Sequence, residues 1–161
     1  FSGKSKMKQH LTELFKYNDW ANRRVLDSIK QLPHKEEAAR LFSHLISAQN
    51  KWINRLTKEA DDETIQWFGE TLPIEELEEK WSESVNKWVN LLECNDSRFL
   101  GTTVTFYAKV TNKNLKVTLQ DLMLQLNYHS MHHRAQINTI IRREGLTPPA
   151  TDYILTRVKK A

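Results

Sequence analysis

The sequence predicts an all-α protein, a four-helix bundle with long crossover connections, and three observations support that fold class. Four long segments carry apolar residues at spacings of three and four, the period of a helix face. Only four glycines and four prolines occur among 161 residues, which favours long uninterrupted helices over turn-rich sheets. With 39% hydrophobic and 27% charged residues, a chain of this length fits one globular domain with a single core.

The first two predicted helices are joined by a short connection. The first runs from about Lys8 to Leu32, where Pro33 ends it, and its apolar stripe is interrupted by Asn18 and Asn22. The second runs from about Lys35 to Glu59. Because few residues separate them, we expect these two helices to be antiparallel neighbours.

A β-like segment separates the last two predicted helices. The third helix spans about Ile74 to Glu93. The segment from Leu100 to Leu119 then contains two runs of β-forming residues, separated by turn residues at Thr111–Asn114. This pattern predicts a short β-hairpin or extended pair between helices 3 and 4. The fourth helix is expected to start at Thr118, whose hydroxyl is a typical cap, and to end near Glu144.

Two histidines in the fourth helix interrupt its apolar stripe. His129 and His133 lie four residues apart, so their side chains are about one turn apart on one helix face. His132 shares a flank with polar residues instead. Buried imidazoles need hydrogen-bond partners or a metal ion, because an unpaired buried polar group is costly. The stripe that the two histidines interrupt consists of Leu119, Leu122, Leu126, Ile137 and Ile140.

A third histidine lies on the apolar face of the second helix. His44 falls between Leu41 and Ala48, where an aliphatic residue is expected. A single histidine in such a position is more often a core residue with a hydrogen-bond partner. Together with His129 and His133, however, it predicts a three-histidine metal site with an open coordination position, and zinc and nickel both suit imidazole ligands.

Two questions about this site stay open at the level of sequence. A fourth protein ligand, such as Asn18, Asn22 or a carboxylate, would favour a structural ion, whereas an open cavity would favour catalysis. Trp67 and Phe68 lie in the long linker between helices 2 and 3. A role as buried anchors of the linker is the favoured interpretation, and an apolar wall of a substrate pocket is the alternative.

Composition predicts the domain organisation and compartment. Met7 looks like a native start, so residues 1–6 are predicted to be a non-native remnant or disordered, and residues 7–161 a single domain. The lone Cys94 cannot form an internal disulfide and predicts a reducing cytoplasm. The net charge of +4 includes Lys4 and Lys6 and does not predict nucleic-acid binding. The sequence has no run of eighteen apolar residues, so no membrane partner is expected.

Four stretches of the chain resemble the DinB-like family of metal-binding four-helix bundles, related to YfiT-like proteins. They occur in the family's order and at roughly its spacing between Tyr17 and Ile154, and the fourth-helix motif is the most specific. The resemblance implies metal ligands at His44, His129 and His133, the trio that the apolar stripes indicate independently. The four stretches are YNDWANRRVLDSI, LFSHLISAQNKWINRL, NYHSMHHRAQI and REGLTPPATDYI.

The resemblance also implies a reaction class, because family members include thiol-dependent transferases and isomerases that use low-molecular-weight thiols. We therefore expect a divalent-metal-dependent transferase whose partners are a small thiol and an electrophilic substrate, with a homodimer as the candidate assembly. The alternatives are a non-catalytic metal-binding or interaction module and a metal-dependent hydrolase. The scarcity of Asp and Glu on the predicted inward faces weakens the hydrolase alternative.

Overall fold

A computed structural model describes residues 6–159 of the chain. The prediction for residues 1–6 therefore falls, except for Lys6, outside the described residues. The predicted mainly α-helical, four-helix fold is confirmed, with each helix boundary within three residues of its expected position. The four helices are α1 (Lys6–Lys30), α2 (Glu36–Thr57), α3 (Leu77–Cys94) and α4 (Leu119–Arg143). None of the helices in residues 6–159 combines the length and apolarity needed to span a membrane.

The packing order of the helices differs from the prediction. Helices α1 and α2 each pack mainly against α3 and α4 and touch each other little, so they lie on a diagonal of the bundle. The expectation that they are neighbours was wrong. Side chains of α3 fill the space between them: Trp81 donates a hydrogen bond to Asp19 of α1 (2.9 Å) and packs its ring against Phe42 of α2.

The predicted hairpin is present between α3 and α4. Strands β1 (Thr103–Ala108) and β2 (Lys113–Thr118) pair antiparallel, with Thr103 opposite Thr118. The turn comes earlier than expected, since β2 already begins at Lys113 and Asn112 takes the left-handed conformation (φ 53°). The predicted cap at Thr118 is confirmed, because its hydroxyl accepts a hydrogen bond from the Asp121 amide (3.2 Å).

The core consists of two apolar clusters separated by a layer of buried polar side chains. One cluster joins the second half of α1 to the first halves of α2 and α3 and the last turns of α4. The other joins the start of α1 to the end of α3, the hairpin and the start of α4. The histidine motifs therefore fall at mid-bundle. Residues of the polar layer are Asn18, Asn22, His44, Gln49, Ser84, Ser130, His133 and Arg134.

Candidate metal centre

The three predicted ligands come together between α2 and α4. His129 Nε2 lies 3.1 Å from His44 Nε2 and 3.1 Å from His133 Nε2. One nitrogen from each ring lies within 4.8 Å of the others. Nitrogens bound to a tetrahedral zinc ion stand about 3.3 Å apart. The three rings could therefore hold a metal ion with only a small adjustment.

The outer nitrogens of two rings are held by hydrogen-bond acceptors. His44 Nδ1 lies 2.5 Å from the backbone carbonyl oxygen of Trp67, and His133 Nδ1 lies 2.7 Å from Gln136 Oε1. Because these oxygens only accept, each Nδ1 must carry the proton of its neutral ring. The Nε2 atoms of His44 and His133 are then left with free lone pairs directed at His129. Such outer contacts orient the imidazoles of metal sites.

Hydrogen bonding among the rings alone cannot satisfy this arrangement. A neutral His129 has at most one proton on Nε2, so it can donate to His44 or to His133 but not to both. Whichever tautomer His129 adopts, at least one Nε2 lone pair then faces another ring nitrogen across 3.1 Å without receiving a hydrogen bond, and these two nitrogens repel each other. A shared cation removes this repulsion, and the donor set therefore fits a divalent ion.

The surroundings keep the rings neutral. Burial is the largest cause of the lowered pKa of all three histidines. Together with the charge on the neighbouring rings, it lowers the pKa of His129 to about 4. Imidazole binds metal only when it is neutral, so at pH 7 the nitrogens do not have to lose a proton to bind an ion.

The other candidate ligands lie outside this group. His132 is exposed and is not part of the cluster. Asn18 and Asn22 both accept hydrogen bonds from Arg134 Nη1, each at 3.0 Å, and Asn22 also donates to Ser130 Oγ (2.7 Å). Within residues 6–159, no carboxylate or cysteine joins the three histidines, and the buried polar residues include neither Asp nor Glu.

The two linker aromatics have different surroundings. Phe68 stacks flat on the His44 ring, with centroids 3.8 Å apart and planes 2° apart, while 54% of its surface stays exposed. Its ring therefore lies beside the site. Trp67 packs against Trp52 and reaches the site only through its backbone carbonyl. Trp67 is thus a linker anchor, and Phe68 has the position expected of an apolar wall.

A clamp formed by Lys51, Arg55 and Asp62 fixes the linker to α2. Both oxygens of Asp62 accept from Arg55, at 2.7 and 2.9 Å, and one lies 3.2 Å from Lys51 Nζ. The hydrogen bond from Arg55 is the largest cause of the lowered pKa of Asp62. The Arg55 guanidinium also stacks within about 5 Å of Trp67. The clamp therefore holds the segment that brings the Trp67 carbonyl to His44.

Sequence reasoning missed the groups that support the three ligands. Gln136 follows His133 by three residues, a spacing that places the two side chains together on a helix, and this could have been recognised. The contact between His44 and the Trp67 backbone carbonyl could not be predicted from the sequence, because every residue has a backbone carbonyl. The clamp joins Arg55 to Asp62 across a helix end, where periodicity no longer predicts contacts.

Two comparisons with known proteins cover nearly the whole chain. A model of the DinB family matches residues 7–160, a range that includes all three histidines. The protein named Protein DinB from Bacillus subtilis (strain 168) is 23% identical to this chain over an alignment of 172 positions, gaps included, that covers 92% of this chain and 96% of that protein. The similarity therefore extends along nearly the full length of both chains.

Loss of the clamp carboxylate should loosen the linker. In Asp62→Asn, Arg55 and Lys51 lose their anionic partner, so we expect faster amide hydrogen exchange in residues 62–68. Mass spectrometry of exchange-labelled protein measures this. Asp96→Asn is the matched control, because Asp96 pairs with Arg98, whose side chain is 91% exposed. Equal exchange in wild type and Asp62→Asn would contradict a holding role for the clamp.

The low pKa of His129 predicts a pH-dependent stability in chelator-treated protein. The His129 imidazole has a pKa of about 6.5 in the unfolded chain and about 4 in the folded chain. Unfolding therefore binds a proton between these values, and the free energy of unfolding should fall as the pH falls from 6.5 to 4. Nitrogen-15 NMR of the imidazoles gives the folded pKa directly. A His129 ring that titrates near 6.5 in the folded protein would disprove its burial.

Proposed function

We propose that this chain, which belongs to the DinB family, binds a divalent metal ion through His44, His129 and His133 and uses it to activate a small thiol for transfer to an electrophile. One observation supports the proposal above all others. Three Nε2 atoms face one point, and the outer nitrogens of His44 and His133 are already held by acceptors. Zinc and nickel both suit such imidazole ligands.

The chemistry follows from the charge of this ligand set. Three neutral imidazoles leave the positive charge of a bound divalent ion uncompensated, and that charge favours the thiolate form of a nearby thiol at neutral pH. The chain adds no carboxylate within residues 6–159 that would neutralise this charge at the histidine cluster. A thiolate is the reactive form for attack on an electrophilic carbon.

The surrounding residues have positioning roles in this proposal. The Trp67 carbonyl and Gln136 Oε1 fix the ring planes of His44 and His133, so their Nε2 atoms stay aimed at the ion. Phe68 covers one face of His44 and offers an exposed apolar surface beside the site. An electrophilic substrate with an apolar part would pack on this ring while its reactive carbon faces the thiol.

A non-catalytic metal-binding module is the second candidate function. The ligands come from two helices, so an ion would also tie α2 to α4. A structural zinc site, however, normally has four protein ligands, and the described residues supply three to this cluster. A hydrolase is favoured less, because no buried carboxylate stands ready as a general base in residues 6–159.

Metal binding should require the three clustered histidines and not His132. We expect His44→Ala, His129→Ala and His133→Ala each to lower the affinity for zinc strongly, because each removes one of three ligands. Elemental analysis after chelation, reloading and gel filtration measures the bound metal. His132→Ala is the matched control, since it removes an exposed imidazole from the same helix. Full zinc content in the double variant His129→Ala/His133→Ala would contradict the proposed ligand set.

Thiol activation predicts a spectroscopic response. In cobalt-substituted protein, a small thiol that binds the ion should add sulfur-to-metal charge-transfer absorption to the visible and near-ultraviolet spectrum. The same thiol, offered with electrophilic acceptors, should give turnover that is lost in His133→Ala. Cobalt-loaded protein that responds to no thiol and turns over no acceptor would favour the non-catalytic module.

A further inference from the structure

We propose that Arg40 is a second recognition point beside the metal centre and binds the carboxylate of the thiol substrate. The inference rests on the proposed function and extends it, because it names the class of thiol. The substrate would carry a sulfur that reaches the ion and a carboxylate that reaches Arg40. Neutral thiols would make only the first of these two contacts.

Arg40 is joined to the site through the Phe68 ring. It lies one helical turn before His44 on α2, so both side chains leave the same face of the helix. The Arg40 guanidinium carbon is 5.3 Å from the centroid of Phe68, the ring that stacks on His44. Contact with the aromatic face limits the motion of the guanidinium and leaves its N–H edge free for a ligand.

No acidic side chain of residues 6–159 forms an ion pair or hydrogen bond with Arg40. Two acidic residues, Glu36 and Glu37, lie in the preceding turn of α2; Glu37 accepts from Arg143 of α4 at 2.5 Å, and neither of them pairs with Arg40. By contrast, Arg55 has its carboxylate, Asp62, at 2.7 Å. Arg40 is also exposed, so its guanidinium can bind a ligand without first breaking an internal ion pair.

The electrostatics around the histidines favour an anion. The cationic guanidinium of Arg40 contacts Phe68, the ring that stacks on His44, so it places a positive charge beside the three histidines. Within the part of the chain that the structure describes, no carboxylate joins the histidine cluster to offset this charge. A bound divalent ion would add to this positive potential. A ligand with two negative groups, a thiolate and a carboxylate, complements both charges.

A carboxylate fits a single guanidinium especially well. Its two oxygens match two parallel N–H donors, and charge-assisted pairs of this kind are stronger than neutral hydrogen bonds. A mercaptocarboxylate therefore gains a contact that a neutral thiol of similar size lacks. We expect the gain in affinity to be no more than about fivefold, because the pair is exposed to solvent.

The test compares two thiols on cobalt-loaded protein. Spectral titration with 3-mercaptopropionate and with 2-mercaptoethanol should show up to about fivefold tighter binding of the carboxylate-bearing thiol by wild type. Arg40→Gln should remove this preference by weakening only 3-mercaptopropionate, and Arg40→Lys should restore part of it. Arg98→Gln is the control, since it removes the same charge from a side chain that is 91% exposed outside the cluster.

Each remaining result has a defined meaning. Cobalt-loaded wild type without a preference for 3-mercaptopropionate, or Arg40→Gln with the wild-type preference, overturns the role of Arg40 and leaves the metal centre intact. Arg40→Gln that weakens both thiols equally also overturns it, because that pattern shows a general effect on the site. Wild-type protein that takes up no cobalt overturns both the proposed function and this inference.

Discussion

The close approach of three histidine Nε2 atoms is the constraint on which the rest of this structure depends. The two 3.1 Å separations cannot both be hydrogen bonds between neutral rings. The fold nevertheless maintains them, because α2 and α4 pack together and the Trp67 carbonyl and Gln136 fix two of the rings. The linker clamp and the Phe68 stack on His44 support the same geometry.

The polar layer also contains a buried hydrogen-bond network around Arg134. Arg134 is almost fully buried, and among the described residues its partners are the neutral groups Asn18, Asn22 and Tyr17. Burial accordingly lowers the pKa of Arg134. Because Tyr17 also donates to the Thr151 carbonyl, the network ties α1, α4 and the C-terminal segment together next to the histidines. Its hydrogen bonds lie in the polar layer between the two apolar clusters.

The sequence predicts the ligands better than it predicts their surroundings. His44, His129 and His133 can be found because each interrupts an apolar stripe of known period, and the four helices follow from the same periodicity. A stripe shows which face of a helix is buried but not which helix covers it, and the prediction that α1 and α2 are neighbours therefore failed. Arg40 and the Trp67 carbonyl depend on the path of the linker over α2, which local patterns do not determine.

X-ray absorption spectroscopy of the zinc-loaded protein tests the central claim most directly. If the three histidines are the protein's ligands, the spectrum should show imidazole scattering from three rings with zinc–nitrogen distances of about 2.0 to 2.1 Å, plus a light atom from solvent. In His132→Ala the spectrum should not change. Fewer than three imidazoles in wild type, or a first shell dominated by sulfur or carboxylate oxygen from the protein, would contradict the account.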